Sequence, residues 1–152
     1  MDVNIINPIL SAFTEILPQI GFQQIEKKKI ALVGSTFDYD GILLNIAMIG
    51  SIKGVILIGM SIDDAKSFAS KMMMGMEVAE FDKLAQSAIS EMGNMVCANA
   101  CTQFSKIDVG GLDISPPTLM MGQGQATLPV PQAIIIDFTC DNIDVKIYVG
   151  LA

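Results

Sequence analysis

The segment from about Leu84 to Phe104 constrains this chain most. Its apolar residues recur at helical spacing, and a narrow polar stripe runs between them. With Asn94 set at zero and about 100° per residue, Lys83, Ser87, Ser90, Glu91, Ala98, Cys101 and Ser105 fall within roughly 60° of it. Leu84, Ala85, Ala88, Met92, Met95 and Val96 fall on the far side. Such a helix has to lie against a core and turn the stripe outward. Ser87, Glu91 and Asn94, spaced four and three apart, share that outward face. A carboxylate beside a primary amide, on a rigid helix with small neighbours, can be offered to another macromolecule. Asn99 projects about 140° from Asn94 into the apolar face, so it is expected to be a buried, hydrogen-bonded structural residue.

Composition narrows the chemistry around this helix. The 152 residues suit one domain with a real core. The net charge of −7 argues against nucleic acid or an anionic membrane as partner. With no histidine, Ser-His-Asp and Cys-His chemistry are excluded and a zinc site is not expected. Cys97 and Cys101 lie one turn apart on a helix, poor geometry for a disulfide. Together with Cys140 they read as small core or surface residues of a cytoplasmic protein. The start MDVNIINP has neither a basic region nor a long apolar run, so no signal peptide is expected. No segment reads as a membrane span. The Gly-x-Gly of MGQGQA lacks a third glycine and a strand-to-helix setting, and reads as a mobile connection.

The order of elements predicts an α+β domain. Asn7-Pro8 opens a first helix that Pro18 and Gly21 end near Leu17. Strands are expected at 24–33, 42–49 and 54–60, separated by turns at Asp38–Gly41 and Gly50–Gly54. Ser61 with Asp64 forms a capping box for a helix over 63–74, closed near Gly75. Met72-Met73-Met74 there reads as core packing in preference to an adaptable binding surface. After the long helix come strands at 109–115, 132–139 and 143–151, with a hairpin turn at Asp141-Asn142. Each half is then one helix followed by three strands. A shift of 76 residues sets Ser11 on Ser87, Ala12 on Ala88, Thr14 on Ser90 and Glu15 on Glu91, with Pro18 opposite Asn94. The chain thus reads as duplicated, with pseudo-repeats of about 7–76 and 83–152. Both long helices are expected on one side of the sheet.

Ser87-x3-Glu91-x2-Asn94, followed after twenty-two residues by Pro117, resembles the pattern of the CheC/CheX/FliY family of chemotaxis phosphatases. The stretches SAISEMGNMVCANA and ISPPTLMMG match as well, and the resemblance runs from INPILSAFTEIL to the last strand. It implies a CheC-like duplicated fold. The first helix keeps the serine and glutamate but has Pro18 where the amide would stand, which is similar to the one-site CheX type. The family's substrate is a phosphorylated, CheY-like response-regulator receiver. That receiver holds its phosphate on an aspartate beside its own Mg²⁺ and a lysine, so no cofactor of this chain's own is expected. What a helper adds is a group that positions water without ionising. A primary amide both donates and accepts, and Asn94 is expected to orient the attacking water. Glu91 is expected to pair with the receiver's lysine. Ser87 has no expected chemical role, since the family also places an acidic residue there. Pro116-Pro117 is expected to stiffen a turn.

Glu91 taken alone could be a solvated helix glutamate paired to a nearby lysine. The alternative function is a non-catalytic adaptor of the same fold that binds a receiver or a flagellar or sensory component. A small-molecule binding domain has no convergent polar motif to support it. CheX-like members imply a homodimer. An open sheet also leaves edge strands that can pair with a copy, and Ile143–Leu151 is the candidate edge.

Overall fold

The computed structural model describes residues 3–151, and the side chains of 6–151. In chain order the elements are α1 (Val3–Gln19), β1 (Ile25–Ile49), β2 (Gly54–Met60), α2 (Ile62–Met72), α3 (Lys83–Ser105), β3 (Asp113–Ile114), β4 (Thr118–Cys140) and β5 (Ile143–Leu151). The described residues therefore form an α+β fold of three helices and a five-stranded antiparallel sheet.

Two long strands replace expected turns. Residues 31–40 alternate half-buried and exposed, and this period-two pattern, with Phe37 and Tyr39 facing inward, outweighs the turn residues Asp38, Asp40 and Gly41. β1 consequently runs unbroken through Gly41. That residue has φ +128°, and a side chain there would strike the Met60 carbonyl. MGQGQA is likewise part of a strand, because β4 pairs with β1 from Asn45↔Thr118 to Ile25↔Cys140. The first half of the chain therefore holds two strands, not three. In the second half, the strand expected at 109–115 shrinks to two residues.

Pairing closes into a ring. β2 lies between the second half of β1 and β5, β5 lies between β2 and β4, and β4 returns to β1. Ile143–Leu151 is thus an interior strand with neighbours on both sides, not an edge. The main core lies between one sheet face and the helices. Phe13 of α1 meets Phe138 of β4 at 4.5 Å, and Phe22 meets Phe68 of α2 at 4.4 Å. A smaller core on the other face gathers Leu43, Leu57 and Leu128, with Phe37 stacked on Tyr148 at 3.9 Å.

The local signals mostly act as expected. Asp82 caps α3 by accepting from Ala85 N, and Ser61 caps α2 by accepting from Asp64 N. Asp141 and Asn142, both at positive φ, form the β4–β5 turn. The Asp141 carboxylate accepts from Lys71 Nζ and from the amides of Gln23 and Gln24, so it ties the start of β1 to α2. Lys71 and these amides hold its carboxyl below the usual range. α1 departs from expectation. It begins by Val3 and carries Pro8 inside, so Asn7-Pro8 does not open it. Of the methionine run, Met72 and Met73 pack against the core while Met74 is 98% exposed. Cys97 and Cys140 are buried free thiols, pushed up to about 12 by loss of solvation.

One contact sets the depth of α3. Gly93 is fully packed, and a Cβ there would run into Leu44 Cδ2 and stand 3.0 Å from Ile46 Cδ1. The helix rests directly on β1 because this position has no side chain. Gly93→Val is expected to destabilise the protein by about 1–3 kcal/mol through overpacking, read as a lower midpoint in urea. An unchanged midpoint would show that α3 tolerates a wider seat.

Candidate functional site

The polar stripe of α3 forms one wall of an open groove. Asp82 starts the helix at a fixed point and Gly93 seats it, so Ser87, Ser90, Glu91 and Asn94 line up along the groove. The other wall is the segment 113–117. Its β3 residues pair as Met48↔Ile114 and Ile49↔Asp113. Ser115 then makes a reciprocal clamp: Ala47 N donates to Ser115 Oγ, and Ser115 N donates to Ala47 O, each at 2.9 Å. Pro116 and Pro117 follow, with few backbone conformations open to them, and complete the lining. The enclosed volume is about 560 Å³.

Glu91 is exposed and Asn94 is half-buried, one turn further along the same face. Asn94 was expected to be fully exposed; the groove walls cover part of it. Among the described residues, neither side chain takes part in a hydrogen bond or ion pair. Glu91 is therefore not a helix glutamate paired with a nearby lysine among the described residues. A free carboxylate and a free amide, held 3 residues apart on a capped helix, can meet an incoming surface without first breaking internal contacts. Ser87 and Pro117 share the groove with them, so the structure brings together all four residues of the sequence pattern.

The mirror residues are arranged differently. α1 packs against α3, and Gln103 Nε2 donates to Glu15 Oε2 at 2.6 Å and to Asn99 Oδ1 at 3.1 Å. Glu15 is thus engaged by a neighbouring helix. Asn99 is hydrogen-bonded as expected but half-buried, because it lies where α1 and α3 meet and not under the centre of the helix. Leu84, placed on the apolar face by its angle, is 60% exposed in the first turn.

Three residues of the site escaped the sequence reading: Gly93, Asp113 and Ser115. A glycine inside a helix costs roughly 1 kcal/mol relative to alanine, and that cost was the available signal for Gly93. Asp113 and Ser115 carried no local signal, since their roles depend on pairing with a strand more than 60 residues earlier. A larger groove of about 1100 Å³ opens around Lys71, Met74 and Asp141. It holds none of the residues of the pattern.

Comparison with known proteins bears directly on this groove. Residues 42–139 match the family described as chemotaxis phosphatase CheX, a span that includes Glu91, Asn94 and Pro117. The CheY-P phosphatase CheX of Thermotoga maritima is 28% identical over 123 residues, covering 81% of this chain and 79% of that protein. The chemotaxis protein CheX of Vibrio vulnificus has the same fold, with a TM-score of 0.85 and 16% identity over 97% of this chain and 99% of that one. A chain of the CheX–CheY–BeF3–Mg²⁺ complex from Borrelia burgdorferi gives a TM-score of 0.78 and 24% identity over 96% of each chain. With well over half of its length in the family match, and the patterned groove inside that span, this chain belongs to the chemotaxis phosphatase CheX family.

Proposed function

We propose that this chain hydrolyses the aspartyl-phosphate of a CheY-like receiver, with Asn94 orienting the attacking water and Glu91 engaging the receiver's lysine. The observation that carries this reading is the pair itself: a free carboxylate and a free amide on one rigid face, in an open groove closed by Pro117. The receiver's Mg²⁺ neutralises charge on the phosphoryl group. Asn94 supplies what the receiver lacks, a neutral group whose carbonyl accepts from the water while its amide hydrogens remain available as donors. Glu91, exposed one turn earlier, fixes the approach by a charge-assisted hydrogen bond to the lysine. The relative from Thermotoga, a CheY-P phosphatase, supports the substrate class. An adaptor of the same fold would need the docking carboxylate but not the amide.

The same reading gives the chain one working site. Glu15 is occupied by Gln103, and Pro18 stands where the first helix would need an amide. The two halves, about 7–76 and 83–152, then descend from one duplicated unit, of which only the second kept the chemistry. The decay of a phosphorylated receiver tests all of this in one assay. Asn94→Ala is expected to slow catalysed decay by about 10²-fold or more, on the order of 3 kcal/mol in barrier, with little change in stability. Glu91→Lys is expected to impair docking more than Glu91→Gln, because it sets two cations against each other. Glu15→Lys is expected to leave the rate near wild type. Wild-type acceleration by Asn94→Ala would refute the role of Asn94, whereas no acceleration by the wild type itself would support the adaptor.

The protein is further proposed to be a homodimer acting in the cytoplasm. The first half of β1 pairs with β4 on one side only, and Ile30 and Leu32 on it are 48% and 61% exposed. A second copy pairing along this edge would cover them. Sedimentation at micromolar concentration is expected to give twice the chain mass, and Leu32→Lys to shift it toward the monomer. A monomeric wild type would refute the dimer.

A further inference from the structure

The proposed site has a second carboxylate that the mechanism does not use. Asp113 stands on the wall opposite Glu91 and lines the same groove. Its backbone is held by the β3–β1 pairing, Ile49↔Asp113, and by the Ser115 clamp two residues later. One carboxylate oxygen, Oδ1, accepts from Ile114 N at 2.8 Å, which fixes the side chain, and the residue is exposed. Cys101, two turns beyond Asn94, has its thiol pushed up first by burial and then by the Asp113 charge. Glu91 lies one turn before Asn94 on the facing wall, so two carboxylates share the groove with the amide. No lysine or arginine lines it.

A groove with this charge distribution repels a bare phosphoanion. It accepts a phosphoryl group only when the partner brings cations around it, and it has two points at which to read them. Resting on the phosphatase reading above, we infer that Asp113 is a specificity-determining residue, which selects a receiver carrying a lysine or arginine at a second position beside its phosphorylation site. Glu91 engages the lysine at the reacting centre, and Asp113 engages the flank. Because Asp113 sits on a strand clipped to β1 and not on α3, it fixes rotation of the receiver about the Glu91 contact. One pair alone leaves that rotation free. The bond is solvent-exposed, so its effect falls on encounter and docking and is screened by salt.

The test is steady-state dephosphorylation of a CheY-type receiver from the same organism, over a range of receiver concentrations, by wild type, Asp113→Asn and Asp113→Lys. Asparagine keeps the oxygen that accepts from Ile114 N, so the wall survives in that variant; thermal melts check both. KM is expected to rise about threefold for Asp113→Asn and about tenfold for Asp113→Lys, with kcat within twofold of wild type. The differences in KM are expected to shrink at about 0.5 M salt. An unchanged KM in both folded variants would overturn the assignment, as would a fall in kcat at unchanged KM. Failure of the wider reading looks different. Wild type itself would then give no acceleration over the receiver's own decay, and Asn94→Ala would match it.

Discussion

The second half of β1 carries both walls of the groove. Leu44 and Ile46 on its face form the seat into which Gly93 lowers α3. Ala47, Met48 and Ile49 on its free side hold Ser115, Ile114 and Asp113 by backbone hydrogen bonds. The distance between the amide of Asn94 and the turn at Pro117 is therefore set by one strand of a closed sheet. The proposed positioning of water would need this, since a misplacement of about 1 Å can cost two orders of magnitude in rate. The clamp around Asp141 anchors the other end of the same strand to α2. The whole length of β1 is thus fixed at its ends and along one side by β4.

Within that frame α1 and α3 differ in what their glutamates touch. Glu91 faces an open groove and pairs with nothing among the described residues, while Glu15 faces Gln103 across the α1–α3 contact. An unpaired surface carboxylate adds little to stability, so retaining one beside a free amide is a feature that packing does not explain. The internal partner makes Glu15 a helix-to-helix tie between α1 and α3.

Much of this was legible in the chain. The angular distribution around Asn94 gave the buried face of α3, with Leu84 the exception because it lies only about 80° from Asn94, on the flank of the stripe, while Ala85 beside it is buried. The caps Asp82 and Ser61 and the Asp141-Asn142 turn are local devices and behave locally. The strands were harder. Asp38, Asp40, Gly122 and Gly124 are turn formers, yet they pair in one ladder because Phe37 and Tyr39 gain a second core on the far face of the sheet. That gain exists only once β5 supplies Tyr148. The interior place of β5 was hidden for the same reason: ring closure through β2 is a property of the whole sheet. At the site, Glu91 and Asn94 were readable on one face from helical spacing, and Pro117 from the family resemblance. Asp113 was not, since nothing near it in the chain tells that it faces α3.

The proposed chemistry demands above all that the residue at 94 be a neutral amide and not merely polar. Asn94→Asp tests it most directly, because aspartate has the same size and shape and the position is only half-buried. The measurement is the decay of a phosphorylated receiver at saturating concentrations of the variant, where weaker docking no longer limits the rate. A carboxylate at this position cannot donate to the phosphoryl oxygens and repels them, so decay is expected to fall to the receiver's unaided rate. Decay at the wild-type catalysed rate would contradict the assignment of Asn94 to water positioning.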